Sequence, residues 1–278
     1  MSYKIVMDSC GELPENLKND PRFELVPLTL MVGGETIIDD ETFNQKEYLQ
    51  KVAASPECAK SACPSPEKYM KACETDAEDV YIITLFSKLS GSYNSACLGK
   101  HLYEENGGKK NILVIDSKSA SIGQTQIALR IVELYESGKT YEEICPLIEQ
   151  FRNGNHTYFV LDNLDTLRKN GRLSQIKSIV ASTLSIKPIM GADDGGIIQL
   201  GQCMGMKKAI QKMADIIVKN TPDIESKRLM ISHCNCPERA ETFRQLMLER
   251  GKYRDIMILD TAGVSSTYAN DGGIIVNI

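Results

Sequence analysis

The stretch Asn111-Ile-Leu-Val-Ile-Asp-Ser117 is an apolar run of strand length that stops on an acid and a hydroxyl. Two other segments share its form: Tyr3-Lys-Ile-Val-Met7 before Asp8-Ser9, and Val80-Tyr-Ile-Ile-Thr-Leu85 before Phe86-Ser87. Between and beyond them, Pro66–Thr75, Ser92–Glu105, Gly123–Glu136 and Tyr141–Arg152 carry apolar residues at spacings of three and four, as in Ile127, Ile131, Leu134 and Ile144, Ile148, Phe151. That spacing predicts helices, and the alternation of short runs with helices is the βαβ pattern of a parallel sheet. In such a sheet, polar residues just beyond the carboxyl ends of strands line the crevice where ligands bind. Ser9, Ser87, Ser90, Ser117 and Ser119 fall there.

The pattern changes after about residue 155, where Tyr158–Leu161 leads through a short helix into the polar turn Arg168-Lys-Asn-Gly-Arg172. Ile186–Met190 and Ile197–Leu200, joined by Gly191-Ala-Asp-Asp-Gly-Gly196, read as an antiparallel hairpin. A Lys207–Val218 helix, an Arg228–Ser232 strand, a Pro237–Glu249 helix, an Ile256–Leu259 strand and an Ile274–Val276 strand complete a second unit. The expected fold class is α/β in two domains: an N-terminal parallel-sheet domain over residues 1–155 and a smaller C-terminal α/β domain with a β-hairpin over 156–278.

Composition narrows the function. With 32 basic and 37 acidic side chains in 278 residues, a net charge of −5 and mixed signs along the chain, there is no basic surface for nucleic acid. Aromatics make up 6% and Trp is missing, so any pocket is aliphatic, built from Ile, Leu, Val and Met. The nine cysteines are odd in number and irregularly spaced, as expected of reduced thiols. The start of the chain has no apolar signal-peptide core, and no run of apolar residues is long enough to span a bilayer. The expectation is a cytoplasmic protein that is not integral to a membrane.

The chemical motifs thin out the enzyme classes. His233-Cys234-Asn235-Cys236 offers zinc ligands, but no second pair exists to complete a four-ligand site. There is no Gly-x-Ser-x-Gly elbow, and only His101, His156 and His233 could act as an imidazole base. Neither a Walker loop nor a Gly-x-Gly-x-x-Gly turn occurs. What remains is hydroxyl density at strand ends: Ser61 and Ser65, then Ser87, Ser90, Ser92 and Ser95, then Ser117, Ser119 and Ser121. Helix capping accounts for some of these, with Ser65 ahead of Pro66 and Ser90 or Ser92 ahead of the next helix. Hydroxyls with no base beside them are binding groups. A hydrolase or transferase using the same crevice stays open, as does a regulatory binding module.

In order along the chain, Lys4-Ile-Val-Met-Asp-Ser-Cys-Gly-Glu-Leu-Pro14, Val26-Pro-Leu28, Ser61-Ala-Cys-Pro-Ser-Pro66, Ser87-Lys-Leu-Ser-Gly-Ser-Tyr-Asn-Ser-Ala96, Val114-Ile-Asp-Ser-Lys-Ser-Ala-Ser121, Leu161-Asp-Asn-Leu-Asp-Thr-Leu-Arg-Lys-Asn-Gly-Arg-Leu-Ser174 and Ile186-Lys-Pro-Ile189 resemble the DegV family over essentially the whole chain. These are bacterial fatty-acid-binding proteins, some of them lipid-carrying subunits of fatty acid kinases. The resemblance implies a non-catalytic carrier with no cofactor. A long-chain fatty acid such as palmitate or oleate would be buried, with its carboxyl group held by Ser61 and Ser90, and a fatty acid kinase catalytic subunit would be the partner. Where the family usually has His-x-Gly-Pro-Gly, this chain has Tyr268-Ala-Asn-Asp-Gly272, which puts Tyr268 near the headgroup. Arg172 would be a further headgroup or partner contact, and a solvated turn is the plain alternative for Arg168, Lys169 and Arg172.

The physics suits such a ligand. About 15 methylenes at about 0.8 kcal/mol each supply roughly 12 kcal/mol before association costs. Neutral hydroxyls suit a protonated acid, or an anion given further donors. Ile176–Leu184 is apolar enough to line a tunnel, or equally to be a core helix.

Overall fold

The computed structural model describes residues 2–174, 176 and 185–278. The tunnel segment expected at 176–184 lies, apart from Ile176, outside the described residues.

The first unit runs β1 (Tyr3–Asp8), β2 (Phe23–Val26), β3 (Thr29–Val32), β4 (Glu35–Ile38), α1 (Gln45–Ala54), β5 (Lys60–Ala62), α2 (Pro66–Ala72), β6 (Asp79–Thr84), α3 (Ser92–Glu105), β7 (Asn111–Asp116), α4 (Ile122–Glu136) and α5 (Tyr141–Asn153). Its main sheet has the order β2-β1-β6-β7, and every pairing is parallel. Alternation along the strands buries both faces. Ile5, Met7, Tyr81 and Ile83 pack with Ile127, Ile131, Ile144 and Ile148 of α4 and α5, while Val6, Val80 and Ile82 pack with Tyr69 and Ala96 of α2 and α3. The chain leaves β1 toward β2 on one side and reaches β6 on the other, so the gap between the ends of β1 and β6 is the topological switch point. Asp8 bridges that gap, accepting from the Leu85 N–H at 2.7 Å.

The second unit runs β8 (Thr157–Val160), α6 (Asp165–Lys169), β9 (Ile186–Asp193), β10 (Gly196–Met204), α7 (Met206–Asn220), β11 (Arg228–His233), α8 (Pro237–Leu248), β12 (Asp255–Asp260), α9 (Gly263–Ala269) and β13 (Ile274–Asn277). Its sheet has the order β10-β9-β8-β13-β11-β12, antiparallel except for β11 with β12. One face, with Tyr158, Val160, Ile274 and Val276, packs on α7 and α8; the other, with Phe159, Leu161 and Ile275, meets Ile122 at the start of α4. Helix α4 therefore serves both units. Its Gln126 donates to Arg228 O at 2.8 Å, and its Glu133 pairs with Arg228 at 2.8 Å and Arg254 at 3.0 Å.

The hairpin, the crossover helices and the parallel strands form where the pattern predicts them. The sequence reading passed over β2, the small antiparallel sheet β4-β3-β5, α1 and α9.

Candidate functional site

Ser61 sits on β5 opposite Leu30 of β3. Its hydroxyl lies 3.1 Å from the phenol oxygen of Tyr268, which α9 carries. The Arg172 guanidinium lies over the Tyr268 ring at 5.6 Å, and its Nε donates to Leu89 O at 3.2 Å. Asn170, two residues earlier, donates through its side chain to Ala59 O at 2.9 Å. The turn expected to be a basic patch thus divides: Arg168 and Lys169 are exposed, whereas Arg172 and Asn170 tie together the backbone just ahead of Ser61 and Ser90.

Ser90 does not cap α3 as the sequence suggests. Gly91 is the N-cap, and Ser90 Oγ accepts from the Ser92 N–H at 3.2 Å and lies 3.0 Å from Ser92 Oγ. Of the serines expected at the crevice, Ser90 and Ser119 reach it. The other three are taken up within the framework: Ser9 donates to Asp39 at 2.9 Å, Ser87 donates to Asp116, and Ser117 donates to Ser119 O at 3.0 Å. No base stands beside Ser90 among its described hydrogen-bond partners. His101 and His156 are exposed, and His233 is buried at the end of β11, away from the cavity lining, where it accepts from the Cys236 N–H at 3.3 Å. Among the described residues no group of His, Cys, Asp and Glu could hold a metal ion.

Ser61, Ser90, Arg172 and Tyr268 all line one cavity of about 350 Å³ at the switch point, between the two units. Most of its remaining wall is aliphatic or aromatic, with Leu85, Phe86 and Leu89 from the first unit and Phe159, Leu161 and Ile275 from the second. Thr157, Phe159 and Leu161 alternate along β8 and its extension, so one face of that strand forms the floor.

Behind the wall lies a layer that sequence reading missed. Cys10, Ser121 and Ser265 line the cavity, and Glu12 stands behind Ser121, accepting from its hydroxyl at 2.9 Å and from the Ala262 N–H at 3.3 Å. Ser121 holds a left-handed φ of 57° at the start of α4, strained for a residue with a side chain, and its hydroxyl also meets Ser232 at 2.8 Å. Asp39 accepts from Ser9 and from the N–H groups of Gly263 and Val264 at 2.8 and 2.9 Å, which nucleates α9. Only glycine allows this approach, since a Cβ at position 263 would lie 2.4 Å from Asp39 Oδ1. Among the described residues none of Asp8, Glu12 and Asp39 pairs with a cation, and burial raises all three from their ordinary values, Glu12 to about 7 and Asp39 to about 6. Burial likewise pushes the Cys10 thiol up, so it is inert at neutral pH. The sequence signals for this layer are Asp8-Ser9 at the end of β1 and Ser121 among the strand-end hydroxyls; nothing local marks Glu12 or Asp39 as buried.

The family model described as "Uncharacterised protein, DegV family" matches residues 2–277. A DegV domain-containing protein of Streptococcus gordonii is 34% identical over 278 residues, covering 99% of this chain and 98% of that one. The crystal structure of a DegV family protein from Ruminococcus gnavus, refined with vaccenic acid, aligns with a TM-score of 0.97 at 50% identity, covering 100% of this chain and 99% of that one. The Streptococcus pneumoniae fatty acid kinase (Fak) B3 protein loaded with linoleic acid aligns with a TM-score of 0.90 at 32% identity, covering 100% of this chain and 99% of that one. With a family match over nearly its full length and a relative at one-third identity from end to end, the chain belongs to the DegV family.

Proposed function

We propose that the cavity holds a long-chain fatty acid, with its carboxyl group at Ser61 and Ser90 and its tail along the β8 floor, and that the chain presents this acid to a fatty acid kinase catalytic subunit. The observation that carries the reading is the gathering of Ser61, Ser90, Tyr268 and Arg172 on one wall of an otherwise mostly apolar cavity. Each methylene buried there contributes about 0.8 kcal/mol, so the tail supplies the affinity and the polar wall the orientation. Tyr268 takes the place of the imidazole usual in the family, giving a headgroup site of hydroxyls with one guanidinium beside them. The vaccenic and linoleic acids of the two structural relatives support the ligand class, and the name of the Fak B3 protein supports the partner class.

Under this reading the chain itself does no chemistry. A hydrolase or transferase would need a base at Ser90, whose described partners are a hydroxyl and a backbone amide of Ser92. The same proposal sets the domain boundary at 155/156, between α5 and β8; the strands of the parallel sheet precede it and those of the six-stranded sheet follow it. It also places the protein in the cytoplasm, which nine unpaired thiols support. Among the described residues no helix is long and apolar enough to cross a membrane.

The test is titration with palmitate and oleate. Ser61→Ala with Ser90→Ala should weaken binding by about 100-fold, two charge-assisted hydrogen bonds at roughly 1.5 kcal/mol or more each, while the fold persists. Undiminished binding moves the carboxyl site elsewhere. For the partner, charge reversal at Arg172 should impair phosphorylation of bound acid by the kinase subunit; unchanged kinetics count against that contact.

A further inference from the structure

The cavity has two ends. The polar wall of Ser61, Tyr268 and Arg172 lies at the Leu161 end, because Ala269, which follows Tyr268 on α9, sits beside Leu161: a Cβ at Gly273 would lie 2.9 Å from Ala269 Cβ and 2.9 Å from Leu161 Cδ2. From Leu161 back to Thr157 the floor runs about 13 Å, at roughly 3.3 Å per residue. At that opposite end Thr157 faces Ser119, their hydroxyls 2.6 Å apart, and Thr157 also accepts from Asn277 Nδ2 at 3.1 Å. Ser119 cannot retreat: it lies so close to α4 that a Cβ at Gly123 would sit 1.9 Å from its hydroxyl. Among the described lining residues, Ala192 also stands at this end, since the pairing of Tyr158 with Gly191 puts it opposite Thr157, and Ile197 is paired with it across the β9–β10 hairpin. Lys118, next to Ser119, reaches Asp194 of the same hairpin at 2.6 Å, so the two walls meet at this point. That pair is mostly exposed and contributes little strength; it marks where the walls converge.

We infer that this end wall sets the longest acyl chain the protein accepts, and that Ala192 is the residue that fixes the limit. The inference rests on the fatty-acid reading above. Thr157 and Ser119 are locked by their mutual hydrogen bond and by Asn277, and Ile197 is buried. Ala192 alone among the four is half-buried rather than buried, and it carries the smaller side chain of the two apolar ones, so the space beside it is what a terminal methyl of the ligand reaches.

The experiment measures the affinities of laurate, myristate, palmitate, stearate and arachidate for the full chain and for Ala192→Val, Ala192→Leu and Ala192→Phe. Each methylene denied its place costs about fourfold in affinity, so Ala192→Phe should weaken stearate and arachidate by at least ~15-fold and leave laurate within about twofold. The valine and leucine variants should fall between, with about fourfold loss confined to the longest chains for valine; valine carries the test if the phenylalanine variant does not fold. A chain-length profile that stays unchanged across the series overturns the inference, as does a parallel loss at every length. If the unaltered protein takes up none of these acids, the fatty-acid reading falls and this inference with it; if it binds them and Ser90→Ala weakens all equally while Ala192 variants change nothing, only the end-wall assignment falls.

Discussion

The polar groups of the half-buried Ser61, Ser90 and Tyr268 wall, the mouth of the cavity, are hydroxyls, whereas those behind the wall are carboxyls, and the two sets stand in opposite conditions. At the mouth, Ser61, Ser90 and Tyr268 are half-buried, and Ser61 and Tyr268 share one hydroxyl pair while Ser90 pairs with Ser92. A hydroxyl bonded to a hydroxyl still has capacity to give or accept. Behind the wall, Asp8, Glu12 and Asp39 are fully buried, and each accepts two or three protein donors. Their capacity is used in joining segments far apart in sequence. Half-buried hydroxyls form the binding surface, and buried carboxyls tied to distant segments form the frame that holds the surface in shape.

That contrast can be broken by mutation. The largest effect is expected at Asp39. Asp39→Ala leaves Ser9 and the N–H groups of Gly263 and Val264 without their acceptor in a buried site, and should lower unfolding free energy by about 3 kcal/mol, measured by urea denaturation. A change below about 0.5 kcal/mol would remove Asp39 from the frame.

Glu12 gives the next effect, through pH. Its carboxyl keeps its proton up to about 7 in the folded chain, against an ordinary value of 4.5. The folded state therefore binds more protons than the unfolded one between those values, so this contribution to stability is fully present below about 4.5 and is lost as pH rises through about 7. Asp39 acts in the same direction from 3.8 to about 6. Stability should fall as pH rises from about 5 to 8, and Glu12→Gln should flatten that slope by on the order of 2 kcal/mol. An identical slope in the variant would show that Glu12 is not the group responsible.

Tyr268→Phe should do the reverse of the frame mutations, leaving stability within about 0.5 kcal/mol and weakening palmitate about fivefold through loss of one hydroxyl contact near 1 kcal/mol. If it instead unfolds the protein as Asp39→Ala does, mouth and frame are one structure and the contrast fails. The smallest effect belongs to Lys118→Ala, which breaks an exposed ion pair with Asp194 and should change stability by less than about 1 kcal/mol in a thermal melt.

The parts of this fold that could be read from sequence are those whose signals are local. The β1, β6 and β7 runs and helices α3, α4 and α5 carry their own periodicity, and the capping box of Thr140 with Glu143 marks the start of α5 within four residues. The parts that could not be read are made by distant partners. β5 is Lys60-Ser-Ala62, three residues with no apolar pattern, and it is a strand because Ser61 pairs with Leu30. Helix α9 is Gly263-Val-Ser-Ser-Thr-Tyr-Ala269, poor in strong helix formers, and Asp39 from 224 residues away receives its first N–H groups. Helix α1 buries only Tyr48, so its amphipathic signal is weak. The same division runs through the site. Ser61 and Ser90 stand out as hydroxyl density at strand ends, whereas Glu12, in an unremarkable Gly-Glu-Leu-Pro segment, becomes a buried group only when α4 and the loop before α9 close over it.

The central claim, that this cavity is built for an acyl chain, is tested most directly by native mass spectrometry of the freshly purified protein followed by denaturing extraction and identification of what is released. The account predicts a long-chain fatty acid bound at one per chain, or stoichiometric uptake when palmitate or oleate is added to protein purified empty. Recovery of no acyl chain together with no uptake of either acid would contradict it.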